Sequence, residues 1–384
     1  MSDSATHPAE LLRGIAAAGL LRKVQPLESP AGVRVIRDGA MLWNFASNDY
    51  LGLASHPQVI DALVDGARRF GAGSTASRLI CGTQPPHVAL EEQLAQAKQS
   101  EAALVFSSGS TTAMGTIPAV VGKGDCVLLD RLSHACLIDA AKLSGATLRV
   151  FPHNDTRKLA AMLASIRAKS ASARILIVTE SVFSMDGDLC PLREITDLAD
   201  EYDAWLLVDE AHAFGVIGAS GMGLAERENL QQRITFQMGT LGKAAGVAGG
   251  YLAASRDWID LIINRARTFI YSTAMPPALA HAASAAVEIL LSAEGDRLRA
   301  MLHANVARVG QAPAAIVPMI LGRNQVAIRA SEMLVSEGFL VPAIRYPTVP
   351  RNTARLRISL CATHPSAQVD ALKAALDRLQ NLTE

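Results

Sequence analysis

Arg174-Ile-Leu-Ile-Val-Thr179, a helical segment over 191–203, and Ala204-Trp-Leu-Leu-Val208 read as one strand–helix–strand unit. Both strands are apolar throughout instead of alternating. A strand reads this way when both faces of its sheet are covered. The pattern continues outward. Helices are expected over 57–70, 86–99, 134–143 and 155–168, with strands at 104–106, 126–129 and 148–151. Further strands follow at 234–238 and 250–253. The expected fold class is α/β, a mostly parallel central sheet flanked by helices. Ligands of such sheets lie beyond the carboxyl ends of the strands.

Nearer the ends the signals change. Residues 8–24 suggest a helix, with apolar Leu11, Leu12, Ile15 and Leu20 and with Arg22 and Lys23 closing it. Val33 and Val35 alternate with polar neighbours, and Asp38-Gly39 suits a hairpin turn. Beyond residue 276 a helix over 277–292 leads into short strands and amphipathic helices, a smaller C-terminal α/β unit. The expected division is an N-terminal segment 1–45, a large domain 46–283 and a small domain 284–384.

Composition excludes several classes. The 384 residues carry 36 basic and 36 acidic side chains, so no overall basic excess favours nucleic acid. Cys81, Cys126, Cys136, Cys190 and Cys361 are odd in number and form no CxxC pair, which argues against a disulfide framework or zinc site. No metal is expected. The first residues lack the basic and apolar regions of a secretory signal, and no apolar run is long enough for a membrane span. A cytoplasmic protein is expected.

Chemistry concentrates at strand ends. Trp205-Leu-Leu-Val-Asp209-Glu-Ala-His212 delivers an acid from a buried strand, with a histidine three residues on. By itself Asp209 could be a helix cap. A DEAH helicase would need an upstream GxxxxGK[ST] loop, and none exists. Lys243 follows Asp209 by 34 residues, in the glycine-rich Gly239-Thr-Leu-Gly-Lys243-Ala-Ala-Gly. An isolated lysine there would simply be solvated. Paired with a buried acid it suits pyridoxal 5′-phosphate (PLP). An amine forms the imine that exchanges with an amino acid, and a carboxylate keeps the pyridine nitrogen protonated. Ser107-Ser-Gly109-Ser110-Thr-Thr112 follows a strand and opens a helix, where backbone N–H groups can hold a phosphate. Ser184 and Thr240 could add hydroxyl contacts to the phosphate or phenolate oxygen. His134 and His212 could stack on the ring and reach O3′, although each could equally be an ordinary helix-end residue.

Five segments together resemble the α-oxoamine synthases, fold-type-I PLP enzymes that condense an amino acid with an acyl thioester and lose CO₂. They are Ser47-Asn48-Asp-Tyr-Leu-Gly-Leu53, Asp130-Arg-Leu-Ser-His134, Thr179-Glu-Ser-Val-Phe-Ser184-Met-Asp-Gly-Asp188, Val208-Asp209-Glu-Ala-His212 and Thr240-Leu-Gly-Lys243. His153-Asn-Asp155, Ile270-Tyr-Ser-Thr-Ala-Met-Pro-Pro277 and Pro347-Thr348-Val-Pro-Arg-Asn-Thr-Ala-Arg355-Leu-Arg357 are most similar to members that join L-alanine to a pimeloyl thioester. The resemblance covers essentially the whole chain. It implies that Lys243 holds PLP and moves the Cα proton, Asp209 pairs with the ring nitrogen, His134 stacks and His212 contacts O3′. It also implies phosphate contacts at Gly109, Ser110, Ser184 and Thr240, and a carboxylate site at Asn48 and Arg357, with His134 beside the substrate. Arg22 and Thr348 would meet the acyl group. The implied assembly is a homodimer, and the carrier is coenzyme A or acyl carrier protein.

The arginine fork suits a carboxylate, whereas Arg351 and Arg355 could instead form a solvated basic edge. Three positions depart from the family pattern: Ser110-Thr111-Thr112, Cys361, and Ala213-Phe214, which is expected to put a larger group near the cofactor. The alternatives are a glycine-using sibling that makes 2-amino-3-oxobutyrate or 5-aminolevulinate, and a non-catalytic partner subunit of the same fold.

Overall fold

The computed structural model describes residues 7–17 and 19–383. A hairpin of β1 (Arg34–Arg37) and β2 (Ala40–Asn44) turns at Asp38 (φ 52°) and Gly39 (φ 71°), both left-handed as a tight two-residue turn requires. The central sheet has seven strands: β3 (Ala102–Phe106), β4 (Cys126–Asp130), β5 (Thr147–Phe151), β6 (Ile175–Glu180), β7 (Trp205–Asp209), β8 (Phe236–Thr240) and β9 (Gly250–Ala254). Their order is β3-β9-β8-β7-β6-β4-β5. Only β9 runs antiparallel to its neighbours. The carboxyl ends of the other six therefore open on one side.

Residues alternate between two cores. Val127, Leu129, Leu176, Val178 and Leu207 pack with Ile117, Leu137, Ile259 and Ile262 on one face. Leu128, Ile175, Ile177, Leu206 and Val208 pack with Leu159, Leu163 and Ile195 on the other. This two-sided burial explains the continuous apolar strands. In the C-terminal part, β10 (Ile316–Gly322), β12 (Ala343–Ile344) and β13 (Ala354–Ser359) form an antiparallel sheet, while β11 (Phe339–Leu340) pairs in parallel with β2. Every residue of β13 is buried, Arg355 and Arg357 included.

Several boundaries differ from expectation by a few residues, and two of them bear on the site. The first helix spans Pro8–Ala17 and leaves Leu20 and Arg22 outside it. Its end is built by Leu20 N–H bonding Ile15 O and Gly19 N–H bonding Ala16 O, with Gly19 at φ 66°. That left-handed turn is one that glycine adopts without strain, and it stops the helix. Strand β8 begins two residues later than expected, so Thr240 is its last residue.

His153 clasps the ends of β4 and the segment after β6. Its Nδ1 lies 3.0 Å from Asp130 Oδ1 and its Nε2 2.8 Å from Asp188 Oδ2. Burial lowers its pKa, but the bonds to Asp130 and Asp188 outweigh that and raise it to about 10. The unfolded value is about 6.5. The clasp's stabilisation is therefore complete below about pH 6.5 and is lost as pH rises through about 10. Urea midpoints should fall over that window in the native protein, and His153→Gln should lack this component. Parallel pH curves for the two proteins would contradict the clasp.

Candidate active site

Asp209 ends β7 and is 6% exposed, with Oδ1 accepting the Ala211 N–H at 2.9 Å. Register places Glu180, the last residue of β6, directly beside it. Two buried carboxyls on neighbouring strands cannot both ionise cheaply. Burial, then the charge of Asp209, raises Glu180 to about 8. Asp209 is also raised by burial, but Lys243, the Ala211 N–H and His134 act in the other direction.

Lys243 lies in the loop after β8, with Nζ 2.8 Å from His212 Nε2. Burial lowers its pKa to about 8, against the opposing pull of Asp209 and Glu180. A lysine so tuned holds a usable fraction of free amine near neutral pH. His212, 5% exposed, is pushed well below its ordinary value by burial first and by the cations Lys243 and Arg357 after it. It is a neutral imidazole. Its Nδ1 lies 2.6 Å from Tyr50 Oη, which lies 3.1 Å from Asn48 Oδ1.

Arg357, from β13, reaches the same Asn48 oxygen at 3.2 Å through Nη2. Its Nε donates to Ser184 O at 2.6 Å and its Nη1 to Ser359 Oγ at 2.8 Å. Arg355, 3% exposed, pairs with the partly exposed Asp186 at 2.6 Å, so it does not form a solvated edge. Arg351 stays exposed, stacked over the Tyr346 ring at 4.3 Å.

His134 caps the helix Ala135–Leu143. Its Nδ1 accepts the Cys136 N–H at 3.2 Å and lies 3.0 Å from Cys136 Sγ, and its own backbone N–H donates to Glu180 Oε1. His134 also lines a cavity of about 530 Å³ with Ser184, Arg22, Arg131, Ile138, Met185 and Thr348. Arg22 Nη2 donates to Thr348 Oγ1 at 3.3 Å, so these two residues do meet.

Ser108 caps the helix Gly109–Val120 by accepting the Thr111 N–H. The N–H groups of Gly109 and Ser110 are not used by that cap and can serve an outside acceptor. Thr240 packs here: a Cβ on Gly109 would lie 3.4 Å from its Cβ. A Cβ on Gly250 would come within 2.5 Å of the Ser108 carbonyl, so glycine is what allows β9 to support this turn. Ser184 lines the cavity with His134. Ala213 and Phe214 correct an expectation. They are 0% and 1% exposed, and Phe214 packs on Tyr251 at 5.2 Å in the core instead of enlarging the cofactor's surroundings.

These residues fit PLP. An amine of lowered pKa stands near a buried acid, a helix N-terminus offers unused donors, and the His134 imidazole borders an open cavity. Sequence reasoning passed over Tyr50, Glu180 and Cys136. The first two lay inside segments already singled out, but only strand register and the fold of residues 45–55 bring them to Asp209 and His212.

The aminotransferase class I and II family matches residues 40–376. The chain is 48% identical to the 8-amino-7-oxononanoate synthase of Methylorubrum populi, over 97% of this chain and 94% of that protein. It is 45% identical to that of Herminiimonas arsenicoxydans, over 94% and 96%. Among solved structures it resembles serine palmitoyltransferase from S. paucimobilis with a bound PLP–myriocin aldimine. That match has TM-score 0.91 and 26% identity, over 98% of this chain and 97% of that one. It also resembles the 8-amino-7-oxononanoate synthase of Francisella tularensis, with TM-score 0.72 and 28% identity, over 88% and 97%.

Proposed function

The chain belongs to the 8-amino-7-oxononanoate synthase family and catalyses a PLP-dependent decarboxylative condensation of an amino acid with an acyl thioester; we propose L-alanine and a pimeloyl thioester as its substrates. The product would be 8-amino-7-oxononanoate, a step of biotin biosynthesis. The observation that carries this reading is Lys243 held 2.8 Å from His212, at a strand end next to that of Asp209, with Arg357 one hydrogen-bond chain away.

When bound, PLP supplies an aldehyde for the amino group and a protonated ring that draws electrons from Cα. Lys243 holds the cofactor, takes the Cα proton of alanine and returns a proton to that carbon after CO₂ has left. Asp209 would keep the ring nitrogen protonated, His134 would stack on the ring, and His212 would contact O3′. Gly109, Ser110 and Thr240 receive the phosphate. Ser184, standing with His134, suits the phenolate side. Arg357 and Asn48 hold the amino-acid carboxylate, while Arg22 and Thr348 meet the acyl group, carried on coenzyme A or acyl carrier protein.

Two further readings accompany this one. A homodimer is supported by exposed Leu79, Ile80 and Tyr271, whose segments are joined by the Ser77–Thr273 bridge. A cytoplasmic location is supported by five free cysteines. No described helix is long and apolar enough to cross a membrane.

The test is thiol release from pimeloyl-CoA with alanine or glycine. Release with alanine and little with glycine is expected, whereas preference for glycine with a short acyl-CoA would move the chain to a sibling activity. Silence with every pair would favour the non-catalytic subunit, against which the complete set of Lys243, Asp209, His134 and His212 argues. Arg357→Lys removes the planar fork. It should raise the KM for alanine about tenfold to a hundredfold, the equivalent of one charged hydrogen bond of about 1.5–3 kcal/mol. The KM for the thioester should stay unchanged; a rise there instead would contradict the carboxylate role.

A further inference from the structure

We infer that Tyr50 is a positioning residue that couples the amino-acid carboxylate pocket to Lys243, by fixing which ring nitrogen of His212 carries the proton. This rests on Arg357 and Asn48 being that pocket. The direction of every bond in the chain follows from one fact: a guanidinium can donate but not accept. Asn48 must therefore present its oxygen to Arg357 Nη2, 3.2 Å away. The same oxygen meets Tyr50 Oη at 3.1 Å and can only accept, so the phenol donates. Tyr50 Oη also takes a bond from Arg357, and its remaining lone pair accepts from His212 Nδ1–H at 2.6 Å. His212 Nε2 is left as a bare lone pair aimed at Lys243 Nζ, 2.8 Å away.

Tyr50 is 0% exposed, and no solvent competes for its hydroxyl. Burial raises its pKa, although Arg357 opposes this, so it remains a phenol. Without the hydroxyl, the His212 Nδ1–H would be buried with no acceptor. The ring would then favour the other tautomer, whose Nε2–H faces Lys243 and disfavours an ammonium there. A carboxylate on Arg357 draws the guanidinium from Asn48 and leaves that oxygen to Tyr50. Occupancy of the pocket thus reinforces the tautomer that holds Lys243 in place.

The test is Tyr50→Phe, read without turnover. Lys243 in cofactor-free protein is labelled with acetic anhydride across a pH series and quantified by mass spectrometry. The His212 ring nitrogens are followed by ¹⁵N NMR, assigned with His212→Asn. Lys243 also faces Asp209 from β7, Glu180 from β6, Arg357 from β13, and Cys136 from the His134-capped helix. His134 faces His212. Of these only Arg357 also bonds Tyr50, and in the variant it keeps Ser184, Ser359 and Asn48 as partners.

The labelling midpoint should lie near 8 in the native protein and fall by roughly one pH unit in the variant. The His212 proton should move from Nδ1 to Nε2. A folded Tyr50→Phe protein with an unchanged tautomer would overturn the inference. Propionate, a carboxylate without an amine, should raise the midpoint in the native protein and do so less in Tyr50→Phe. If neither protein responds, the pocket assignment fails and takes the coupling with it. An equal response in both would leave the pocket standing and overturn the coupling alone.

Discussion

Lys243→Ala should lower turnover to below about one part in a thousand, because in the proposed roles it removes at once the covalent anchor and the base. A positioned general base alone is worth about 10²–10⁴-fold, and the imine exchange that brings alanine onto the cofactor is lost as well. The site has no substitute at that position. His212, the nearest nitrogen, is held as a neutral imidazole by burial and by its bond to Tyr50. The other groups facing Lys243 are Asp209, Glu180, Arg357 and Cys136, of which Glu180 keeps its proton up to about pH 8 and Cys136 up to about 12. The measurement is thiol release under saturating PLP, so that weak retention of the cofactor cannot masquerade as lost chemistry. Methylamine should restore part of the rate if the missing group is the amine itself. A variant with more than about a tenth of native turnover would sink the assignment of Lys243.

The outline of this site could be read from the chain because its parts sit where a parallel sheet must put them. Asp209, Ser107 and Lys243 each follow a strand-like run, and the ends of such runs converge on one side of the sheet. Helix limits over 57–70 and the turn at Asp38-Gly39 were legible for equally local reasons, a proline at the first helical turn and a residue pair tolerant of positive φ. Partnerships across the fold were not legible. That Glu180 lies beside Asp209 is a matter of strand register, and register depends on the packing of both faces. Arg355 and Arg357 are alternate residues on one strand, yet one ends on Asp186 and the other on Ser184, Ser359 and Asn48. Their charge left a solvated edge open as the alternative for Arg355, while the Arg357 fork pointed to a carboxylate. Only the burial of β13 separates those readings. Ala213-Phe214 misled in the opposite direction, since nearness in sequence to His212 did not mean nearness to the cofactor.

Asp209→Asn tests the other half of the chemistry, and its effect should approach that of losing Lys243. The amide keeps the shape of the side chain and can still accept the Ala211 N–H, so the fold should survive. What disappears is the negative charge facing the ring nitrogen. Breaking a buried ion pair by removing one partner costs about 3–5 kcal/mol, which corresponds to roughly a hundredfold to a few thousandfold in PLP affinity. Turnover should fall by at least the same factor even when PLP is supplied in excess, because an unprotonated ring accepts electrons poorly. The substitution should also be felt next door. The charge of Asp209 is, after burial, what raises Glu180, so Glu180 should titrate below about 8 in the variant. Lys243 loses its strongest anionic neighbour and should move down from about 8. The native pair thus divides its labour by position: Asp209 is raised by burial but opposed by Lys243 and His134, while burial and the charge of Asp209 raise Glu180 to about 8, against the bond from the His134 N–H. Near-normal turnover of Asp209→Asn, with PLP bound, would overturn that division and the electron-sink role together.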